Sequence, residues 1–159
     1  MKAVILAGGF GTRLSEETVL KPKPLVDVGE MPIIWHIMKY YSHFGIKDFI
    51  ICLGYKGYQI KNFFLNQSQL SGDINVNFKD NNIKHLNKAN DEWNIILAET
   101  GLETNTAGRI RKIKKYLKSD DFFFLTYGDG LTNSNLKKTL NLHIRKKKKY
   151  YCYSSKGAR

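Results

Sequence analysis

Cysteine and acidic residues are scarce in this chain of 159 residues, proline occurs only three times, and long apolar runs are missing. The two cysteines, Cys52 and Cys152, lie far apart and match neither a zinc-site spacing nor a disulfide framework, so both read as ordinary reduced thiols. No stretch approaches the roughly 20 apolar residues needed to span a bilayer. The opening MKAVILAGGFGTRL also lacks a signal peptide's order of charge, apolar block and small-residue cleavage site. A soluble, cytoplasmic protein with no membrane partner is expected. Acidic side chains number 14 against 26 basic ones, a formal charge of +12, but the imbalance is local. Residues 131–159 hold nine bases and no acid, which leaves only +3 for residues 1–130. Such a run, including the lysines at 146–149, reads as a solvated face. No aromatic stacking platform or base-reading motif accompanies it, so no nucleic-acid partner is expected.

Hydrophobic residues make up 42% of the chain and aromatic residues 13%, which excludes disordered, collagen-like and low-complexity classes. A chain of this size can bury roughly two-thirds of its unfolded surface in one core. Strand-like and helix-like segments alternate, the pattern of a parallel sheet covered by helices. Buried strands are predicted at Lys2–Leu6, Asp48–Leu53, Trp93–Ala98 and Asp121–Thr126, each a continuous apolar run. Ile33, Ile34, Ile37, Met38 and Tyr41 recur at helical spacing between Pro32 and Gly45. A short amphipathic helix is predicted over Tyr58–Leu65. Another over Arg109–Leu117 carries Ile110, Ile113 and Leu117 on one face and its bases elsewhere. A helix near Asn133–Lys146 and a strand at Tyr150–Ser154 close the chain. The asparagine-rich stretch Asn66–Asp91 predicts loops and edge strands, with Ile74–Phe78 as one of them. There is no internal repeat and no domain boundary.

The segment with the most chemical content is Leu6-Ala7-Gly8-Gly9-Phe10-Gly11-Thr12-Arg13-Leu14, directly after the first strand. Glycines here let the backbone turn sharply and bring its amides close to phosphate oxygens. It is neither a P-loop, which needs Lys-Ser/Thr after the last glycine, nor the dinucleotide fingerprint, which needs glycine where Leu14 stands. Taken alone, it is equally a tight strand-to-helix turn. Arg13 offers a planar fork of donors. Lys21-Pro22-Lys23-Pro24 holds two ammonium groups on a stiffened backbone, where a cation could offset charge building at an attacked phosphate, or could serve merely as surface charge. Asp129 sits in a Gly-Asp-Gly turn just past a predicted strand's carboxyl end, where open α/β sheets take ligands. His36 reads as a core histidine. His43, His85 and His143 have no partner at metal-binding spacing, and Ser15 and Ser42 lack a Gly-x-Ser-x-Gly setting.

The strand followed by LAGGFGTRL and KPKPL resembles the signature of the sugar-1-phosphate nucleotidyltransferases. EETVLKPKPLVDVG, PIIWHIMKYYSHFGIKDFIICLGYKGYQIK, the WN-to-ETG segment and FLTYGDG extend the resemblance across nearly all of residues 1–130, and the run around Trp35–Lys61 points to the family's cytidylyl branch. The resemblance implies an α/β, Rossmann-like, mostly parallel sheet flanked by helices, the nucleotide-diphospho-sugar transferase fold. It implies CTP and α-D-glucose 1-phosphate as substrates and Mg²⁺ as cofactor. Leu6, Ala7, Gly8, Gly9 and Phe10 would then line base and ribose. Gly11, Thr12 and Arg13 would hold the triphosphate, with Lys23 as the chief phosphate cation, so that Arg13 and Lys23 are the catalytic candidates. Thr104, Arg109 and Gly128 would contact the nucleotide, and Asp129 would hold the metal.

Members of that family are considerably longer. Their second half carries the sugar-phosphate pocket, a further acidic metal ligand and much of the oligomer contact. The resemblance therefore implies that residues 1–159 form a single, truncated domain: the nucleotide-binding N-terminal portion of a protein that is a homo-oligomer at full length. Three alternatives stay open: a thymidylyl, uridylyl or guanylyl transferase on the same fold, a nucleotide-binding fragment without catalysis, and a basic nucleic-acid binder using residues 137–149.

Overall fold

The computed structural model describes residues 1–10, 21–87, 92–118 and 120–146. From the amino end its elements are β1 (Lys2–Leu6), a 3₁₀ turn (Lys23–Leu25), the two-residue strands β2 (Asp27–Val28) and β3 (Met31–Pro32), α1 (Ile33–His43) and β4 (Asp48–Leu53). There follow α2 (Gly57–Leu70), β5 (Ile74–Asn77), β6 (Asn82–His85), β7 (Asn94–Glu99), α3 (Thr106–Ile113) with a further 3₁₀ turn (Lys114–Tyr116), β8 (Phe123–Tyr127) and α4 (Leu136–Lys146). The central sheet has the order β7-β4-β1-β8, and its three pairings are all parallel.

Alternation along the strands divides the core in two. Ala3 and Ile5 of β1, with Phe49, Ile51 and Leu53 of β4, face a cluster built by Ile34, Ile37, Met38 and Tyr41 of α1, Ile60 and Phe64 of α2, and Leu136 of α4. Val4, Leu6, Ile50 and Cys52 face the opposite way, against Ile113 of α3 with Tyr116 and Leu117 beyond it. Both faces of β1 and β4 are covered, which is why these strands read as uninterrupted apolar runs. In α1 the buried residues recur every three or four positions, and Gly45, at φ +83°, turns the chain out of the helix.

Several expectations change. The helix after β4 is longer than Tyr58–Leu65, running from Gly57 to Leu70, because its last turns are polar and exposed and carry no apolar signal. The edge strand expected at Ile74–Phe78 is present as Ile74–Asn77 and pairs with β6 in a separate two-stranded sheet. The helix predicted over Arg109–Leu117 begins at Thr106, gives way to 3₁₀ after Ile113, and buries Arg109, one of the bases placed off its apolar face. β8 starts at Phe123 and is not buried. Phe123, Leu125 and Tyr127 are exposed on the face that α3 covers only over the neighbouring strands, while Phe124 packs into the first cluster. His36 is half-buried rather than in the core, and its Nε2 lies 2.8 Å from the Val28 carbonyl oxygen, tying α1 to β2. The strand expected at Tyr150–Ser154 lies outside the described residues. No helix among the described residues is long and apolar enough to cross a membrane.

Phe49 is buried at the centre of the first cluster, whereas Val76 of the β5–β6 hairpin is half exposed. Phe49→Ala is expected to cost about 3–5 kcal/mol of unfolding free energy, and Val76→Ala to stay within about 0.5 kcal/mol, both read from denaturant melts.

Candidate functional site

The chain leaves β1, adds β4 and then β7 on one side, and returns to add β8 on the other. The direction of strand addition therefore reverses between β1 and β8. Connections leave the carboxyl ends of these two strands in opposite directions and open a crevice there. A cavity of about 580 Å³ occupies that position. Its walls are the continuation of β1 (Leu6–Phe10), Lys23 and Pro24 of the 3₁₀ turn, the segment after β7 (Leu102–Thr106, with Arg109), and the continuation of β8 (Tyr127–Asp129). The structure thus brings together the described residues that the family resemblance implicates: Leu6, Ala7, Gly8, Gly9, Phe10, Lys23, Thr104, Arg109, Gly128 and Asp129. Gly11, Thr12 and Arg13 lie outside the described residues.

Backbone bonds hold the floor. Ala7 N–H donates to the Cys52 carbonyl at 3.0 Å and Gly128 N–H to the Leu6 carbonyl at 3.0 Å, so the sheet's hydrogen bonding runs on into the crevice. Gly128 has a packing reason to be glycine: a Cβ there would stand 2.9 Å from Pro24 Cγ and 3.4 Å from Ala7 Cβ. Pro24 and Leu25 are buried, which anchors the 3₁₀ turn and carries Lys23 to the rim. Lys23 Nζ lies 3.7 Å from Asp129 Oδ2, the lysine mostly covered and the carboxylate more open. Of the two lysines in Lys21-Pro22-Lys23-Pro24, only Lys23 reaches this cavity. Lys21 bonds Asp27 at 2.7 Å and lines a smaller hollow of about 370 Å³ instead.

Arg109 is only 6% exposed. Its Nη1 donates to the Leu53 carbonyl (2.9 Å), Thr100 Oγ1 (2.6 Å) and the Gly101 carbonyl (2.9 Å). Its Nη2 donates to the carbonyls of Gly8 (2.9 Å) and Leu102 (3.1 Å). Lys112, one turn on, donates to the Thr100 carbonyl at 2.8 Å and to Thr104 Oγ1 at 3.2 Å. The segment between β7 and α3 is thereby fastened to the helix that follows it, and Asn105 Oδ1 caps that helix by accepting from Gly108 N–H at 2.8 Å. Gly54 and Thr100 escaped the sequence reading. Gly54 simply follows the predicted strand Asp48–Leu53, and nothing in the pattern marks Thr100, whose hydroxyl also donates to the Leu53 carbonyl at 2.6 Å.

Among the described residues no three His, Cys, Asp or Glu side chains cluster as a metal cage. The donor chemistry fits a cation bound by one protein carboxylate, Asp129, with its remaining oxygens from phosphates and water, a common Mg²⁺ arrangement. Beneath the cavity, burial pushes the Cys52 thiol up to about 11, against the opposing pull of the Arg109 charge. The same burial lowers the pKa of Arg109.

A family model described as nucleotidyl transferase matches residues 2–157. The chain is 50% identical over 143 residues to glucose-1-phosphate cytidylyltransferase of Salmonella typhimurium strain LT2, covering 90% of this chain and 56% of that protein. It is 29% identical over 147 residues to mannose-1-phosphate guanyltransferase of Aspergillus oryzae, covering 90% and 34%. Among solved structures, HddC from Yersinia pseudotuberculosis complexed with GMP-PN superposes with a TM-score of 0.64 at 26% identity, over 90% of this chain and 54% of that one. The shared architecture is the expected nucleotide-diphospho-sugar transferase fold. The chain spans only a little over half the length of the cytidylyltransferase it matches.

A thiol with a raised folded-state pKa favours the native state below its unfolded pKa, and that preference is lost as pH climbs through the folded one. Unfolding free energy is therefore expected to fall between about pH 9 and pH 11 in part because of Cys52. Denaturant melts across that window should give a shallower decline for Cys52→Ala than for the unsubstituted chain.

Proposed function

The chain belongs to the nucleotidyl transferase family, and from that membership we propose that it is the nucleotide-binding portion of an enzyme that transfers a cytidylyl group from CTP to α-D-glucose 1-phosphate, giving CDP-glucose and pyrophosphate. The observation that carries this reading is the cavity at the β1/β8 reversal, which gathers the glycine-rich backbone, Lys23, Thr104, Gly128 and Asp129. Cytidine is favoured over guanosine because identity is 50% with a relative named as a cytidylyltransferase and 29% with one named as a guanyltransferase.

In the proposed reaction an oxygen of the sugar phosphate attacks the α-phosphorus in line and the bond to pyrophosphate breaks. The bond made and the bond broken are both P–O, so the protein's task is to align two anions and offset their repulsion. Leu6–Phe10 would receive the base and ribose through their backbone, with Thr104 on the opposite wall. Lys23, joined by Arg13 from outside the described residues, would carry positive charge to the phosphate chain. A divalent cation such as Mg²⁺ supplies further neutralisation of the phosphates when bound, and Asp129 is the residue that would hold it. The sugar-phosphate pocket and a second acidic ligand would belong to the length of the relatives that this chain does not span. Both substrates are charged and cannot cross a bilayer unaided, in keeping with a cytoplasmic enzyme. For these 159 residues by themselves the reading is CTP binding, with turnover assigned to the full-length protein.

Calorimetric titration of CTP with Mg²⁺ is expected to give saturable heat, and its absence would defeat the proposal. Lys23→Ala should weaken that binding by about tenfold, the usual worth of a hydrogen bond to a charged group, with an unchanged circular dichroism spectrum. Equal affinity would remove Lys23 from the site. Asp129→Asn should abolish the gain in affinity on adding Mg²⁺ and, by removing a negative charge that also draws Lys23 aside, should tighten metal-free binding.

A further inference from the structure

We propose that Arg109 is a positioning residue that locks the two lips of the cavity together, and that Gly8 and Gly54 are glycines so that its guanidinium can sit between them. Three segments distant in sequence meet on this one side chain. One is the glycine-rich continuation of β1, through the Gly8 carbonyl. The second is the end of β4, through the Leu53 carbonyl. The third is the segment after β7, through Thr100 Oγ1 and the carbonyls of Gly101 and Leu102.

The planar fork suits this task. Its two terminal nitrogens point in fixed directions and serve five acceptors, whereas a lysine would bring one mobile ammonium to the same space. Among the described residues those acceptors are carbonyls and a hydroxyl, with no carboxylate among them. Without the fork the Leu53 carbonyl would keep the Thr100 N–H (3.1 Å) and hydroxyl, and the Gly8 carbonyl the Tyr55 N–H (3.3 Å), but no bond would then join the Gly8 carbonyl to the carbonyls of Gly101 and Leu102 through one side chain. The C=O and N–H of a planar peptide point opposite ways, so holding the Gly8 carbonyl also sets the direction of the Gly9 N–H.

The space is fully used. A Cβ on Gly8 would lie 2.2 Å from Arg109 Nη1 and 2.5 Å from Cζ. A Cβ on Gly54 would lie 2.6 Å from the Gly8 carbonyl oxygen and 2.7 Å from Nη1. Gly54 does not line the cavity, yet a methyl group there would push between the guanidinium and the carbonyl it holds. The two lips, Gly8–Phe10 and Leu102–Thr106, therefore have a common clamp lying behind them.

Two readouts on the 159-residue chain test this. Amide hydrogen exchange in the absence of ligand is the first. Arg109→Met and Arg109→Lys should both speed exchange by about tenfold or more, at Gly9 and Phe10 and at Leu102–Thr104 together. Gly54→Ala should do the same, and the double variant Gly54→Ala/Arg109→Met should be no worse than Arg109→Met alone. The second readout, which rests on the nucleotide reading above, is CTP affinity with Mg²⁺, expected to fall by about tenfold in the same three single variants. Should Arg109→Met fail to fold, Gly54→Ala and Thr100→Val give the decision, the latter removing one acceptor outside the cavity wall. Wild-type exchange and affinity in Arg109→Lys would overturn the proposal, since charge alone would then suffice. Faster exchange confined to one lip, or additive effects of Gly54→Ala and Arg109→Met, would overturn it as well. A wild-type chain that gives no heat with CTP defeats the nucleotide reading, while the exchange data still decide whether the lips are coupled.

Discussion

Reversal of strand order between β1 and β8 is the constraint from which the rest of the molecule follows. Because all four strands run in parallel, every loop that leaves a carboxyl end emerges on the same side of the sheet. Because β8 is added opposite to β4 and β7, the loops after β1 and β8 diverge, and the gap between them has no side chain of its own to fill it. The backbone that borders this gap is rich in small residues, and the Lys23 ammonium and the carboxylates of Glu103 and Asp129 stand around it. A polar crevice with a pre-built floor suits a ligand that brings its own charge. The first core cluster keeps that floor stiff, since Ala7 and Leu25, on either side of the crevice, are both part of it.

A rigid floor does not by itself fix the width of a crevice. The wall after β7 has no strand neighbour beyond Glu99, and its loop residues Leu102 and Glu103 are exposed. What determines its distance from the glycine-rich wall is a buried cation donating to backbone oxygens on both sides. Burying a guanidinium without a carboxylate is costly in principle. Here the cost is offset by five acceptors in one plane's reach, an arrangement that also makes the clamp intolerant of substitution.

Much of this was legible in the sequence, for reasons that also explain the gaps. β1 and β4 are covered on both faces, so KAVIL and DFIICL read unambiguously as buried strands. DFFFLT looked the same, but its apolar character does not imply burial: at β8 the second face has no helix over it among the described residues, and Phe123, Leu125 and Tyr127 remain open. The polar tail of α2 carried no periodic signal at all. The glycines, Lys23 and Asp129 of the cavity stood out because their side-chain identity carries chemistry, whereas Leu6, Ala7, Phe10, Thr104 and Arg109 were implied only by the family resemblance. The role of Arg109 was not legible, because its partners are main-chain carbonyls, and a carbonyl looks alike at every position of a sequence. Gly54 is a case of the same kind, since its requirement comes from an atom belonging to residue 109.

The β5–β6 hairpin stands apart from all of this. Its strands bond only to each other, the Leu86 N–H closes onto the Asp73 carbonyl at 2.9 Å, and no residue between 71 and 87 belongs to either core cluster. Such an outlying ribbon is where a lineage can add or delete chain without disturbing the central sheet, and where a fluorescent reporter or affinity tag could be spliced in.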